Sequence, residues 1–202
     1  MSLWRGAPLV LASKSTVRRS LLEAAGIPVE VDAAEIDERA LEAPPAERGA
    51  APETIASLLA AEKARAVARR RPGALVLGAD QTLALDGRRF SKPATIAAAR
   101  EQLAALSGKT HALHSACAVA RCETIMFETV ATARLTMRVL STAALDAYLA
   151  AVGKRVTESV GAYQLEGLGV HLFEQIEGDH FTILGLPLLP LCAFFRREGL
   201  LP

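Results

Sequence analysis

The sequence is poor in aromatic side chains and carries almost no net charge. Phenylalanine, tryptophan and tyrosine make up 4% of its 202 residues, and the formal net charge is +1. Proteins that bind nucleic acid usually offer a strongly basic surface and aromatic rings on which bases stack. Neither feature is present here, so we expect no nucleic-acid partner, although a local anion site is compatible with this composition.

Cysteine is also scarce, and long apolar runs are missing. Cys117, Cys122 and Cys192 are odd in number and form no Cys-x-x-Cys pair, so the sequence indicates neither a disulfide framework nor a zinc site. Their apolar neighbours predict small core residues. No stretch approaches the ~20 apolar residues that span a bilayer, and the opening MSLWRGAPLV has too short an apolar part for a secretory signal. We therefore expect a cytoplasmic protein without a membrane partner.

What the chain does have is the composition of a globular protein. Hydrophobic residues make up 51% and charged residues 22%, which is typical of a chain that buries one substantial core, or two lobes sharing one. Helix-type and strand-type patterns alternate, but hairpins interrupt a pure βαβ order. The predicted fold class is α/β, a single domain over residues 1–202 with a mixed sheet and flanking helices.

Two periodicities divide the chain into elements. Alternation of apolar and polar residues marks strands, as in residues 125–139, and a spacing of three to four marks helices. The proline-rich stretch 32–51 is a predicted loop, and Asp86-Gly87 is a strong hairpin turn. Strands are predicted near 8–12, 29–31, 74–78, 83–85, 88–90, 110–121, 125–139, 170–176 and 180–184. Helices are predicted near 16–25, 52–70, 95–106, 142–151 and 186–197.

Two adjacent arginines stand in the first turn of the first predicted helix. At ~100° per residue, Arg18 lies on the same face as Leu21 and Leu22, whereas Arg19 points away. A cation on the apolar face of a helix N-terminus, close to the N–H groups that follow Ser13, suits a phosphate group. A surface arginine paired with a nearby acid explains this stretch equally well.

A second cation repeats this pattern, and a carboxylate joins it. Lys63 lies on the apolar face of the predicted helix 52–70. A lone case is usually a lysine that extends its ammonium group to solvent, but two such cations on separate helices indicate one basic cleft. Asp80 follows the buried strand 74–78, at the kind of strand end where open α/β sheets bind ligands.

The predicted hairpin returns the chain toward Asp80. With a two-residue turn, Lys92 lies across from Gln81; with a bulged three-residue turn, it lies across from Thr82, on the same face as Asp80. In both cases we expect the ammonium group to be within reach of the carboxylate. The pair can serve catalysis, or it can be a plain salt bridge.

Further carboxylates cluster at Glu35, Asp37 and Glu38. Oxygen ligands without nearby cysteine or histidine suit Mg²⁺ or Mn²⁺, and a solvated acidic surface is the other interpretation. His111 and His114 lie on opposite faces of a predicted strand, so they do not form a metal-binding pair.

Eight short motifs occur along the chain in a fixed order. They are SKSTVRRSLL (13–22), IDE (36–38), EKA (62–64), GADQT (78–82), SKP (91–93), LSGKTH (106–111), GAYQLEGLG (161–169) and GDHFTILGLPL (178–188). In this order they resemble the Maf family, nucleoside triphosphate pyrophosphatases also described as septum-formation inhibitor-like proteins. The resemblance covers nearly the whole chain. It implies an elongated Maf/ITPase-like α/β fold with two lobes around a central nucleotide-binding cleft, and a protein that can form a homodimer.

The resemblance also implies a reaction and roles for individual residues. The reaction is hydrolysis of a nucleoside triphosphate to the monophosphate and pyrophosphate. Asp80 matches the proposed general base, and Glu38 matches a carboxylate that binds metal or positions water. Both are implied ligands of a divalent cation, Mg²⁺ or Mn²⁺. The implied substrate-binding residues are Ser13, Arg18, Arg19, Lys63 and Lys92.

Three positions depart from the dTTP/UTP-type members of this family. Val17 stands where those members have arginine, Gln81 where they have threonine, and Glu166 where they have glutamine. Gln81 and Glu166 resemble the residues of the branch that acts on 7-methyl-GTP. A carboxylate at position 166 can accept the N1–H and N2–H of a guanine edge. Val17 matches neither branch. The alternative function is a noncatalytic, nucleotide-binding regulator of septum formation and cell division.

Overall fold

The computed structural model describes residues 3–202 and has the mixed α/β architecture that the alternating patterns predict. Its strands are β1 (Leu9–Leu11), β2 (Val29–Val31), β3 (Leu75–Leu85), β4 (Arg88–Phe90), β5 (Thr110–Arg121), β6 (Thr124–Met137) and β7 (Phe173–Glu177). Its helices are α1 (Thr16–Ala24), α2 (Glu38–Glu47), α3 (Pro52–Arg70), α4 (Ile96–Leu106), α5 (Thr142–Val152), α6 (His180–Ile183) and α7 (Leu188–Arg197). Short 3₁₀ turns occupy Gly153–Thr157, Val160–Ala162 and Leu168–Leu172.

The strands form one mixed sheet. β1 is parallel to both of its neighbours, so that Val10 is aligned with Glu30 of β2 and with Val76 of β3. β4 is antiparallel to β3, and β7 is antiparallel to β6. The hydrogen-bonded order is β2-β1-β3-β5-β6-β7, with β4 paired to β3. No helix in the described part of the chain is long and apolar enough to cross a membrane.

The chain divides into two compact units, and each is built from separate stretches of sequence. The first unit contains the residues up to Gln81 together with His114–Ala131 and His180–Pro202. The second unit contains Thr82–Leu113 and Thr132–Asp179. Because β3, β5 and β6 are long strands, each contributes residues to both units.

In the first unit, α3 packs closely on β3 because both surfaces carry small residues. Ala60 and Ala64 of α3 are fully buried. A Cβ atom added to Gly78 of β3 would lie 2.1 Å from the carbonyl oxygen of Ala60, so only glycine permits this approach. The close packing brings the stem of Lys63, one residue before Ala64, over the strand.

The opposite face of the same strands is apolar. Leu11 of β1 and Leu77 of β3 pack with Leu22 of α1 and Phe195 of α7 in one buried cluster. Side chains alternate between the two faces of a strand. Successive residues of β3 therefore face α3 and the α1–α7 side in turn. This alternation decides where the polar residues of β3 point.

The second unit has a buried polar pair among aromatic rings. The side chain of His111 is 1% exposed, and its Nε2 is 2.7 Å from the hydroxyl of Tyr163. Phe173 contacts both rings. Burial lowers the pKa of His111 to about 4, because a charged imidazolium is poorly solvated there. The histidine is therefore neutral at pH 7.

The predicted loop over 32–51 is wrong, because α2 forms within it. The side chain of Asp37 accepts a hydrogen bond from the N–H of Ala40 and caps the helix, and alanine, leucine, glutamate and arginine favour helix in the first turns. Pro44 and Pro45 remove two hydrogen-bond donors. No residue of α2 is buried, so water can satisfy the carbonyl groups that lose these partners.

Three smaller expectations are also corrected. Residues 180–184 were expected to form a strand, but the short helix α6 lies there. β3 does not end at Gly78; it continues through Asp80 to Leu85. Cys122 is exposed, whereas Cys117 is buried and Cys192 half-buried. Cys122 occupies the turn between β5 and β6 with a positive φ of 54°, where its side chain points away from the core.

Candidate active site

Three consecutive residues of β3 carry the candidate site of the first unit. Because the strand alternates, Asp80 points toward α3, whereas Ala79 and Gln81 lie on the other face. Asp80 and Ala79 are buried, and Gln81 is half-buried. Asp80 therefore lies in the middle of a buried strand and not at its end, and its neighbours on the strand are held by different partners.

Asp80 forms an ion pair with Lys63. The Nζ atom of Lys63 lies 2.6 Å from Oδ1 of Asp80, and the two side chains are 10% and 12% exposed. The same Nζ atom lies 3.0 Å from Oε1 of Glu38, whose side chain is 51% exposed. One buried ammonium group thus joins a buried carboxylate to a carboxylate that is open to solvent.

The environment of Asp80 changes its acidity. Burial raises the pKa of the Asp80 carboxyl above its ordinary value, because the charged form loses solvation. The positive charges of Lys63 and Arg18 act in the opposite direction, and the negative charge of Glu38 adds to the increase. A carboxylate with a raised pKa is a stronger base, and this is what proton abstraction from water requires.

Arg18 points into the protein, as its position on the apolar face of α1 predicts. Its Nε atom donates to the carbonyl oxygen of Gly185 at 2.8 Å, and its Nη1 atom donates to that of Ala79 at 2.9 Å. Nη1 also lies 3.3 Å from the hydroxyl oxygen of Ser13. Ser15 caps α1 through the N–H of Arg18. Burial lowers the pKa of Arg18, but a guanidinium group remains charged.

Arg19 and Val17 lie beside Arg18 but have different surroundings. Arg19 points away from the core, and its Nε atom forms an exposed ion pair with Glu23 one turn later, at 2.7 Å. Val17 is half-buried in the first turn of α1. The helical geometry that separates Arg18 from Arg19 is therefore as predicted. A substrate-binding role for Arg19 stays a prediction.

Gln81 is bound by its own protein surroundings. Its Nε2 atom donates at 2.9 Å to the hydroxyl of Ser115, at 3.0 Å to the carbonyl oxygen of Ile183 and at 3.2 Å to that of Thr182. The hydroxyl of Ser115 also donates to the carbonyl oxygen of Thr182, at 2.7 Å. Ser115 and these carbonyl groups are not among the site residues that the sequence predicts. A serine among small apolar strand residues is only a weak sequence signal of a functional residue, and a backbone carbonyl group leaves no signal in the sequence.

Lys92 and Glu166 belong to the second unit. Leu85 pairs with Arg88 across the hairpin, so the two-residue turn is the one that forms. β4 ends at Phe90, and Lys92 is exposed beyond it. The ammonium group that pairs with Asp80 in the first unit is that of Lys63; the expected reach of Lys92 to this carboxylate stays a prediction.

Glu166 lies at the tip of a tight turn of the second unit. The carbonyl oxygen of Gln164 accepts hydrogen bonds from the N–H groups of Gly167 and Gly169. A Cβ atom on Gly169 would lie 2.3 Å from that oxygen, so the turn requires glycine there. Glu166 itself is exposed, and its carboxylate is therefore accessible to a ligand.

The carboxylates of the first unit fit a magnesium ion only in part. Within residues 3–202, no group of three or more histidine, cysteine, aspartate or glutamate side chains is arranged to hold a metal. Asp37 is engaged in capping α2, and Glu35 is exposed. Asp80 and Glu38 both contact the ammonium group of Lys63, so their carboxylates lie near each other. Mg²⁺ is commonly bound by one or two carboxylates plus substrate phosphates, so this pair suits such a shared site.

The chain belongs to the Maf-like protein family, whose sequence model matches residues 8–198. A nucleoside triphosphate pyrophosphatase of Bradyrhizobium diazoefficiens is 58% identical over 202 residues, which is 100% of this chain and 99% of the relative. A 7-methyl-GTP pyrophosphatase of Mesorhizobium japonicum is 51% identical over 191 residues, covering 95% of this chain and 96% of the relative. The solved structure of a HAM1 protein from Coxiella burnetii has a TM-score of 0.43 and 18% identity, covering 65% of this chain and 73% of that one.

Proposed function

We propose that this protein is a hydrolase that converts a nucleoside triphosphate to the nucleoside monophosphate and pyrophosphate. The observation that carries the proposal is the buried Lys63–Asp80 ion pair, with Glu38 at its solvent side. Relatives that match this chain over its whole length and are named nucleoside triphosphate pyrophosphatases support it. Phosphoryl transfer needs a positioned nucleophile and neutralisation of phosphate charge. The two carboxylates can position the attacking water, and Lys63 supplies one positive charge beside them.

In the proposed reaction, a water oxygen forms a bond to the α-phosphorus. The bond between the α-phosphorus and the α–β bridging oxygen breaks, and that oxygen leaves with pyrophosphate. Asp80 accepts the proton of the attacking water, and its raised pKa suits this role. Lys63 holds the Asp80 carboxylate in place and balances part of the negative charge that develops.

We also propose that a divalent cation, Mg²⁺ or Mn²⁺, takes part. Glu38 and Asp80 would hold it, together with phosphate oxygens of the substrate. When bound, such a cation neutralises phosphate charge and polarises the phosphoryl group. The shared ammonium of Lys63 keeps the two carboxylates close together before the cation arrives.

The substrate that we propose carries a guanine-type base, such as 7-methyl-GTP. Glu166 is an exposed carboxylate and can accept two N–H groups from a guanine edge, whereas uracil and thymine offer a single donor between two acceptors. A relative at 51% identity is named 7-methyl-GTP pyrophosphatase. Lys92, the exposed cation after β4, is our candidate for binding the phosphates.

A panel of nucleotides tests the substrate. Purified protein is assayed with Mg²⁺ against 7-methyl-GTP, GTP, dTTP and UTP, and the products are separated into monophosphate, diphosphate, pyrophosphate and orthophosphate. We expect pyrophosphate release to be fastest with a guanine-type substrate. Orthophosphate as the direct product, or no turnover with any triphosphate, contradicts the proposal.

A pair of matched variants tests the base-recognition part. Glu166→Gln should lower kcat/KM for guanine-type substrates, because an amide donates where the ligand also donates. We expect a loss of about 10- to 100-fold, corresponding to one good polar contact. Glu174→Gln changes another exposed carboxylate of the same unit and should leave kcat/KM unchanged. Equal effects of the two variants contradict a role for Glu166.

A further inference from the structure

The segment after the start of α6 offers its backbone carbonyl groups to side chains of the first unit. Gln81 donates to the carbonyl oxygens of Thr182 and Ile183, and Arg18 donates to that of Gly185. Ser115 adds a second hydrogen bond to Thr182. Residues 182–185 are thus fastened by three side chains, which we call the carbonyl clamp: Arg18, Gln81 and Ser115.

The clamp also holds the strand that carries the candidate general base. Arg18 donates to the carbonyl oxygen of Ala79 at 2.9 Å, and Ala79 directly precedes Asp80. Gln81 directly follows Asp80 and donates to Ser115 of β5 at 2.9 Å. The backbone is therefore anchored on both sides of Asp80, while its carboxylate points the other way, to Lys63.

We propose that Arg18 and Gln81 are positioning residues, which keep Asp80 in its reactive place by clamping β3 to residues 182–185. This inference rests on the proposed function, because it assigns these residues to the reaction of Asp80. The resemblance to Maf proteins implies other roles, phosphate binding for Arg18 and base specificity for Gln81. The hydrogen bonds that both side chains make to the protein favour a role in holding β3, and with it Asp80, in place.

The contacts of Arg18 leave little of the guanidinium for a ligand. Two of its three nitrogen atoms donate to the protein. Its Nε and Nη2 atoms would each lie 3.4 Å from a Cβ atom added to Gly185, where φ is +92°. The guanidinium group therefore lies against the backbone of Gly185, where a larger residue would crowd it and would also strain the chain.

The contacts of Gln81 have the same consequence. Its Nε2 atom carries two hydrogens and faces three acceptors, on Ser115, Thr182 and Ile183. Both N–H groups are therefore directed at the protein, and Oε1 takes no part in these hydrogen bonds. Ser115 is 0% exposed and cannot contact a bound nucleotide. An effect of Ser115 on catalysis must therefore act through the clamp, which makes it the decisive position to change.

The test compares kcat and KM of three variants with the best substrate of the wild-type protein. Ser115→Ala, Gln81→Leu and Arg18→Lys each remove clamp hydrogen bonds. For a positioning role we expect kcat to fall roughly 10- to 100-fold, because small displacements of a reacting group are costly, with KM changed by less than about threefold. Ser115→Thr retains the hydroxyl and should recover kcat.

Other outcomes overturn the inference. A rise in KM with kcat unchanged for Arg18→Lys points to phosphate binding. A changed ratio of kcat/KM between guanine and uracil substrates for Gln81→Leu, with Ser115→Ala unaffected, points to base contact. Lowered thermal stability with unchanged kcat in all three variants shows that the clamp stabilises the fold and has no positioning role in catalysis.

Hydrogen exchange provides a readout that does not depend on turnover. Backbone amides of residues 182–186 and of β3 around Asp80 should exchange at least about tenfold faster in Ser115→Ala and Gln81→Leu than in the wild type. Unchanged exchange refutes the clamp even if the protein hydrolyses no nucleotide. Faster exchange together with an inactive wild-type protein refutes the proposed function, and with it the catalytic meaning of the clamp.

Discussion

Replacement of Lys63 by methionine should be strongly destabilising, because it leaves a buried carboxylate without its partner. The two charges are 2.6 Å apart, and at an effective dielectric constant of about 20 their attraction is about 6 kcal/mol before desolvation is counted. Removing one member of such a buried pair typically costs about 3–5 kcal/mol. We expect a loss of this size at pH 8, where Asp80 must remain charged or take up a proton.

Urea unfolding of the wild type, Lys63→Met and the double variant Lys63→Met/Asp80→Asn measures this cost. The double variant should recover much of the stability, because a neutral amide is easier to bury than an unpaired carboxylate. The loss in Lys63→Met should also shrink at pH 5, since protonation of Asp80 then relieves the buried charge.

Arg19→Met is the matched control, since it breaks an ion pair whose side chains are 53% and 45% exposed. Such exposed pairs contribute less than about 1 kcal/mol. If Lys63→Met costs no more than Arg19→Met, or if the double variant is no more stable than the single one, the buried ion pair does not have the strength assigned to it.

Three further predictions follow from packing and from acidity. Gly78→Ala places a Cβ atom 2.1 Å from the carbonyl oxygen of Ala60 and should lower the free energy of unfolding by about 3 kcal/mol; an unchanged urea midpoint contradicts the close packing of α3 on β3. Glu38→Gln removes a charge that raises the pKa of Asp80, so the acid limb of kcat/KM should move to lower pH; a shift to higher pH excludes Asp80 as the base that this limb reports. His111 has a pKa of about 4 when folded and an ordinary value of 6.5, so its contribution to stability is complete above pH 6.5 and is lost as pH falls toward 4. His111→Leu should therefore flatten the pH dependence of urea unfolding between these values, and a slope equal to that of the wild type contradicts it.

Sequence periodicity was sufficient to predict an element and the direction of its side chains wherever the local preferences of the residues agreed. α3 has the predicted bounds, because proline at its start, alanine-rich turns and terminal arginines all favour the same helix. The orientations of Arg18 and Arg19 follow from helical geometry alone. Lys63 is buried on the apolar face of α3 for the same reason.

The failures arise where tertiary contacts outweigh local signals. Asp80 and Gln81 interrupt an apolar run and so favour a strand end, yet β3 continues because Lys63 and Ser115 satisfy their polar groups. Residues 180–184 resemble a strand in composition, but their carbonyl groups are held by side chains that are distant in sequence. No local pattern records such long-range hydrogen bonds.

The ion-pair partner of Asp80 is another long-range contact that a local sequence pattern does not record. Lys92 is close to Asp80 in sequence and across a hairpin, whereas Lys63 reaches it only because Gly78 lets α3 lie against β3. The sequence indicates each of these features separately. Their combination depends on a packing distance that periodicity does not contain.

The most direct test of the central claim is the rate of pyrophosphate release by Asp80→Asn. The isosteric amide cannot accept a proton from water, so with Mg²⁺ and the best substrate of the panel we expect kcat to fall at least about 100-fold, while the urea midpoint shows that the protein remains folded. A variant that retains kcat within about threefold of the wild type contradicts the assignment of Asp80 as the general base.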